Sequence, residues 1–218
     1  MRNRFDRQLK KLNDELIEMG NMIERSIEQS VTALVTQDKE KAQLVIDFDA
    51  EIDRQEREIE GLCMKLLLQQ QPVARDLRVI SSALKMITDM ERIGDQSADI
   101  AELAIMMAEK PYIKDLKHIS QMGKETMVMV IDSVDAFVAK DMEKAEDVLK
   151  HDDVVDQLFD TVKEELIEMI HKNIEDGEQA ADLLMIAKYF ERIGDHATNI
   201  AEWVIYSMTG QHEKMQEK

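Results

Sequence analysis

Apolar residues recur every three or four positions along nearly the whole chain, the spacing of helices that bury one face. In the first stretch Phe5, Leu9, Leu12, Leu16, Met19, Ile23, Ile27, Val31 and Leu34 form a single stripe. They predict a helix over residues 4–36, about 50 Å long at 1.5 Å per residue. Asp38 suits the N-cap of a second helix that carries Ala42, Val45, Ile52, Ile59, Cys63 and Leu66 inward and ends before the QQQP at 69–72. A third, over 73–109, repeats the spacing through Ile80, Leu84, Ile87, Gly94, Ala98, Ala101 and Ile105 and stops at Pro111. Three more follow over 114–139, 141–175 and 178–209, the last two separated by Asp176-Gly177. Gly and Pro number only 7 and 2, and aromatic residues make up 4%, so turns and strands have little to form from.

The second half repeats the first. Met19-Gly20 matches Met122-Gly123 at an offset of 103, and TQDKEKAQLVIDFD at 36–49 matches AKDMEKAEDVLKHD at 139–152 at the same offset. ERIGD at 91–95 recurs at 191–195, an offset of 100, so the second copy is three residues shorter near its last turn. The expected fold is therefore all-α: two pseudo-symmetric antiparallel three-helix bundles, residues 1–110 and 111–218, joined near Pro111.

Acidic residues run beside the apolar stripe. Glu91, Asp95, Asp99 and Glu102 fall within an arc of about 80° at 100° per residue. Glu191, Asp195, Asn199 and Glu202 repeat the row with one amide in place of an acid. Asp49, Asp53, Glu56 and Glu60 share a face of the second helix, as do Asp152 and Asp156 on the fifth. Like charges one turn apart oppose helix formation by about 0.2–0.5 kcal/mol a pair, so facing rows call for neutralisation. Two readings follow. Carboxylate oxygens are hard donors, and Gly94, Ala98, Gly194 and Ala197 leave room for a multivalent cation. Alternatively the rows are solvated faces met by Lys and Arg of neighbouring helices. Arg92 and Arg192 lie on a different face from the acids and read as surface or interhelix salt-bridge residues, His196 points about 100° away from Asp195, and His151 and His171 lack companions at ligand spacing.

Charge and composition narrow the function. A net charge of −18 is the wrong sign for neutralising a phosphate backbone, which disfavours nucleic-acid binding. One cysteine, Cys63 on the buried side, allows no intrachain disulfide. The charged start MRNRFDRQLKKL is unlike a signal peptide, and no apolar run reaches spanning length, so a cytoplasmic location is expected, with membranes met only through partners. P-loop, dinucleotide, HExxH and nucleophile-elbow motifs are missing, which leaves metal-assisted hydrolysis as the one catalytic alternative. A helical scaffold or metal store is another alternative to a regulatory role. The 16 methionines read mainly as core filler, with Met106, Met107, Met127 and Met129 available to an adaptable partner surface.

Two copies of a unit carrying ERIGD and then IAE (ERIGDQSADIAE at 91–102, ERIGDHATNIAE at 191–202), together with PVARDLR at 72–78, resemble the PhoU family over nearly the whole chain. The resemblance implies two three-helix bundles, a homodimer and E(D)xxxD motifs that in some members bind multinuclear metal clusters. Carried over by position, the motifs fall on Glu91 with Asp95, Asp49 with Asp53, Glu191 with Asp195 and Asp152 with Asp156; Asp99 and Asn199 would support them. Iron or zinc is the metal the resemblance implies, with manganese or magnesium as alternatives. It further implies a non-enzymatic negative regulator of phosphate uptake and of the phosphate-starvation response. Such a protein links the ATP-binding subunit of the phosphate ABC transporter to a sensor histidine kinase.

Overall fold

The computed structural model describes residues 2–70 and 72–211. They form six long helices: α1 (Arg2–Thr36), α2 (Lys39–Gln70), α3 (Ala74–Met107), α4 (Lys117–Ala139), α5 (Met142–Lys172) and α6 (Gly177–Thr209). The interruption expected at 69–72 includes Gln71, and the second unit expected to 218 includes 212–218; these positions lie outside the described residues.

The turns follow the repeat. Gln37 and Lys140, at the offset of 103, both adopt left-handed backbone with φ of 53° and 56°. The next amides close the helix ends, Asp38 N–H donating to Ala33 O at 3.0 Å and Asp141 N–H to Ala136 O at 2.9 Å. The carboxylates of Asp38 and Asp141 then accept from the N–H groups of Lys41 and Lys144, capping α2 and α5. Two boundaries differ from the periodic reading. α4 starts at Lys117 rather than 114, because Asp115 Oδ1 accepts from the Lys117 N–H and holds a turn there. α5 stops at Lys172 rather than 175, since the Asn173 side chain accepts from the Glu175 N–H and starts a single 3-10 turn, Ile174–Asp176.

Within each half the three helices pack together, and the halves join through α3 against α6 and α1 against α4. Both junctions are antiparallel: Gly20 faces Val134 and Val31 faces Gly123, while Asp89 meets His196 and Arg78 meets Gly210. The four central helices therefore share one apolar core that runs through both halves, from Leu12, Leu16 and Ile23 to Phe190, Ile193 and Val204, all fully buried. α3 and α6 are buried on more of their circumference than one stripe requires, because each meets its own bundle and the opposite half. Five buried hydroxyls on the central helices are satisfied locally, Ser30, Ser97, Thr126, Ser133 and Ser207 each donating to a carbonyl three or four residues earlier, while the buried Ser82 hydroxyl has no partner. The outer helices α2 and α5 pack chiefly on their own halves, α2 on α1 and α3 and α5 on α4 and α6, and they carry the second acidic row of each.

Candidate metal-binding carboxylate grooves

The glycine of each ERIGD stretch sets the geometry of the site. A Cβ at Gly94 would lie 3.2 Å from Asp49 Oδ1 and 3.1 Å from Ile52 Cδ1; one at Gly194 would lie 3.2 Å from Asp152 Oδ1 and 3.5 Å from Val155 Cγ1. Only a residue without a side chain lets α2 approach α3, and α5 approach α6, this closely. The approach brings an aspartate of the outer helix down onto the acidic row of the inner one, twice in the molecule.

Electrostatics follow from that placement. Asp49 is half-buried and lies in the field of Asp95, Asp53 and Asp99; burial first, then those charges, pushes its carboxyl up to about 6. Asp152 in the second half is likewise pushed up to about 6 by burial and by Asp156, Asp195 and Glu191. Burial and like charge also raise Glu91 beside Asp95, Asp156 beside Glu191, and Asp195 beside Glu191. Asp49 Oδ1 is fully buried and has no hydrogen-bond partner. An orphaned buried carboxylate oxygen among four acids, over a glycine cradle, is an environment a hard multivalent cation would satisfy. The donors present thus fit such an ion, with Asp49, Asp53, Glu91 and Asp95 available in one groove and Asp152, Asp156, Glu191 and Asp195 in the other. Among the described residues, no group of three or more His, Cys, Asp and Glu side chains stands where it could hold a metal ion as the side chains are placed.

Protein cations meet part of the charge. Arg92, expected as a surface or interhelix salt-bridge residue on a different face from the acids, is exposed and makes its salt bridge within α3: its Nη1 donates to Asp95 Oδ2 at 2.8 Å, and its Nε lies 3.6 Å from Glu91 Oε2. A guanidinium three residues back along the helix is long enough to bend across to the carboxylate. Arg57 approaches Asp53 at 3.8 Å from the same helix. In the second groove Lys188 pairs with Glu191.

Asp99 and Asn199 stand at the junction between the halves. Asp99 accepts a hydrogen bond from Tyr189, and Arg192 lies close enough to favour its charged form against the larger effect of burial and Glu102. Asn199 Nδ2 donates to Asp89 Oδ1 at 3.2 Å, and Asp89 also holds His196 Nδ1 at 2.8 Å. These contacts are related by the repeat, since Asp89 and Tyr189 stand at one pair of equivalent positions and Asp99 and Asn199 at another. Sequence reasoning missed Asp89, Tyr189 and Lys188. The first two could have been found from the offset of 100, because an antiparallel junction that brings Tyr189 to Asp99 brings the equivalent Asp89 to Asn199.

Two further histidines take carboxylate partners as well: His151 Nε2 lies 2.8 Å from Glu125, and His118 and Lys114 both meet Glu165. Met106 is exposed and Met127 half-buried, while Met107 and Met129 belong to the core.

A family model described as the PhoU domain matches residues 16–104 and again 119–204. The chain is 38% identical over 207 residues to the phosphate-specific transport system accessory protein PhoU homolog of Clostridium acetobutylicum, covering 94% of each chain. It is 34% identical to the homolog of Pseudomonas aeruginosa, over 94% of this chain and 86% of that one. The crystal structure of PhoU from Pseudomonas aeruginosa superposes with a TM-score of 0.90 at 33% identity, over 95% of this chain and all of that chain. The phosphate transport system regulatory protein PhoU from Streptococcus pneumoniae gives 0.87 at 29% identity, over 95% and 98%.

Proposed function

The chain belongs to the PhoU family, and from that premise we propose that it is a regulatory accessory protein of a phosphate transport system. In this reading it acts by binding other proteins and carries out no catalysis. It holds the phosphate-starvation response off when phosphate is plentiful, by bridging the ATP-binding subunit of the phosphate transporter and a sensor histidine kinase at the inner face of the membrane. The observation that carries the reading is the full-length match, in both halves, to accessory and regulatory proteins of phosphate transport. Two features of the molecule support it. None of the described helices is long and apolar enough to cross a membrane, so contact with a transporter would be made through surfaces. The six helices, tied by one core through both halves, present long rigid faces to partners.

The same reading gives the grooves a role: each takes a metal ion or cluster, iron or zinc in the first instance, which would neutralise the acids and tie α2 to α3 and α5 to α6. Binding to native but not unfolded chain would make the metal a stabilising ligand. The second copy of the chain in a homodimer would double the partner surface.

The test is genetic first. Removing the protein from its cell should switch on a phosphate-starvation reporter in phosphate-rich medium, and restoring the chain should switch it off. A reporter indifferent to the deletion refutes the regulatory role. Elemental analysis of untagged protein should find more than one ion per chain, lost in the Glu91→Ala/Asp95→Ala/Glu191→Ala/Asp195→Ala variant. Metal-free protein that is not stabilised by iron, zinc, manganese or magnesium refutes the metal role and leaves the genetic result standing.

A further inference from the structure

The two acidic grooves occupy equivalent places in the repeat, but the side chains that border them differ. On the outer helices, at the offset of 103, Glu56 and Glu60 of α2 correspond to Phe159 and Lys163 of α5. On the inner helices, at the offset of 100, Thr88 of α3 corresponds to Lys188 of α6. Two carboxylates and a hydroxyl beside the first groove are thus an aromatic ring and two ammonium groups beside the second.

Packing gives one of those ammonium groups a special position. Lys188 pairs with Glu191 on its own helix, at an oxygen that is fully buried and accepts no hydrogen bond. Its Nζ also stands over the Phe159 ring of α5, 5.5 Å from the centre. The ammonium is therefore held from both sides of the groove, by a carboxylate of α6 and by the negative face of a ring on α5. Its charge reaches both acidic rows, favouring the ionised forms of Asp195 on α6 and Asp156 on α5 against burial and the neighbouring acids. Lys163 approaches the same ring at 5.7 Å but donates to Asp160 on its own helix.

Among the described residues, no such bridge spans the first groove. Thr88 is short, and its hydroxyl turns back to the Leu84 carbonyl. Arg92 and Arg57 are exposed and pair with acids of their own helices. Glu56, in the place of Phe159, adds to the negative field on Glu91 instead. Asp49 Oδ1 is left buried without a partner. One groove lacks internal positive charge, and the other supplies part of its own.

We propose that Lys188 is the built-in counter-ion of the second groove and makes the two grooves unequal binders of a multivalent cation, the first tight and the second weak. The inequality rests on the reading that the grooves take metal. In both grooves the carboxylates must converge before they can ligate. In the second, Glu191 must also release Lys188, and the ammonium must leave the face of Phe159, before that buried oxygen is free. The acids of α5 and α6 therefore come together only at metal concentrations above those that draw α2 to α3.

The experiment is calorimetric titration of the full-length, chelator-treated protein with manganous ion, a cation suited to carboxylate donors. The parent should show two classes of site separated by about tenfold or more in affinity. The tighter should vanish in Glu91→Ala/Asp95→Ala and the weaker in Glu191→Ala/Asp195→Ala. Lys188→Thr, which installs the residue found at the equivalent place, should tighten the weaker class by about tenfold and leave the other within about twofold. Lys188→Met keeps the stem of the side chain and removes its charge; it should do the same, and serves if the threonine variant does not fold. Damage to the fold would weaken a site, so tightening separates a counter-ion from a structural lysine. Thr88→Lys/Glu56→Phe, the converse exchange, should weaken the tighter class. Equal affinities in the two grooves of the parent, or a weaker class that neither Lys188 variant moves, overturns the role of Lys188 and leaves the metal reading intact. No saturable binding of manganous ion in the parent or in either Lys188 variant refutes the metal reading, and with it the inequality of the grooves.

Discussion

Gly20 and Gly123 stand at equivalent positions of the repeat, on α1 and α4 where the halves meet, and the structure assigns them opposite responses to the same substitution. A Cβ at Gly20 would make ordinary contact with Val134, its nearest atom 3.5 Å away. A Cβ at Gly123 would fall 2.5 Å from Val31 Cγ2 and 3.2 Å from two atoms of the fully buried Phe190 ring. Replacing a mid-helix glycine by alanine stabilises the helix by about 0.8–1 kcal/mol in either place. That gain is common to both variants and drops out of their difference. What remains is the cost of moving Val31 by about 1 Å against a packed ring, for which overpacking of a core gives about 1–3 kcal/mol. Gly20→Ala should therefore raise Tm, and Gly123→Ala should fall below it by roughly 3–10 °C, at about 2–4 °C per kcal/mol for a chain of this size. Thermal unfolding of the two single variants beside the parent measures this directly. Equal increases in Tm would show that the α1–α4 junction is loose enough to absorb a methyl group, and would refute the close packing of the two halves.

The acidic grooves make a pH-dependent prediction. Asp49 and Asp152 are raised from 3.8 to about 6 in the folded chain, so the stability they contribute is fully present below about pH 4 and is lost as pH rises through 6. At 1.36 kcal/mol per unit and cut by more than half for half-buried groups, the loss is about 1 kcal/mol each. Metal-free Asp49→Asn/Asp152→Asn should then be about 2 kcal/mol more stable than the parent in urea unfolding near pH 8, with the gap narrowing toward pH 5; a variant less stable near pH 8 contradicts the assignment. Gly94→Ala should lift Asp49 out of the groove and lower bound metal in elemental analysis; retention of full metal content would show that the close approach of α2 is not needed. Cys63 is fully buried with its thiol pushed up to about 12, so maleimide should label it only after unfolding, and rapid labelling of native protein would show that α2 opens.

Much of this molecule is written in local pattern. Helix existence, the inward residues of α2 and the N-cap at Asp38 follow from 3.6-residue periodicity and from the hydrogen-bonding habits of a short carboxylate, which act within one or two turns. The repeat is likewise legible, because equivalent positions such as Gln37 and Lys140 keep the same left-handed backbone at the same offset. So are the acidic rows, since helical geometry alone decides which residues share a face. Tertiary structure decided the rest. That Gly94 and Gly194 are the contact points bringing Asp49 and Asp152 onto the opposing rows depends on how two helices cross, a relation between residues far apart in the chain. Arg92 meets Asp95 because a long side chain bends across the surface it stands on, which a helical wheel drawn from backbone positions does not represent. The joining of two bundles into one core, and with it a cavity lined from both halves, comes from surfaces that exist only after each half has folded. Periodicity states which face of a helix is buried, and packing alone states against what.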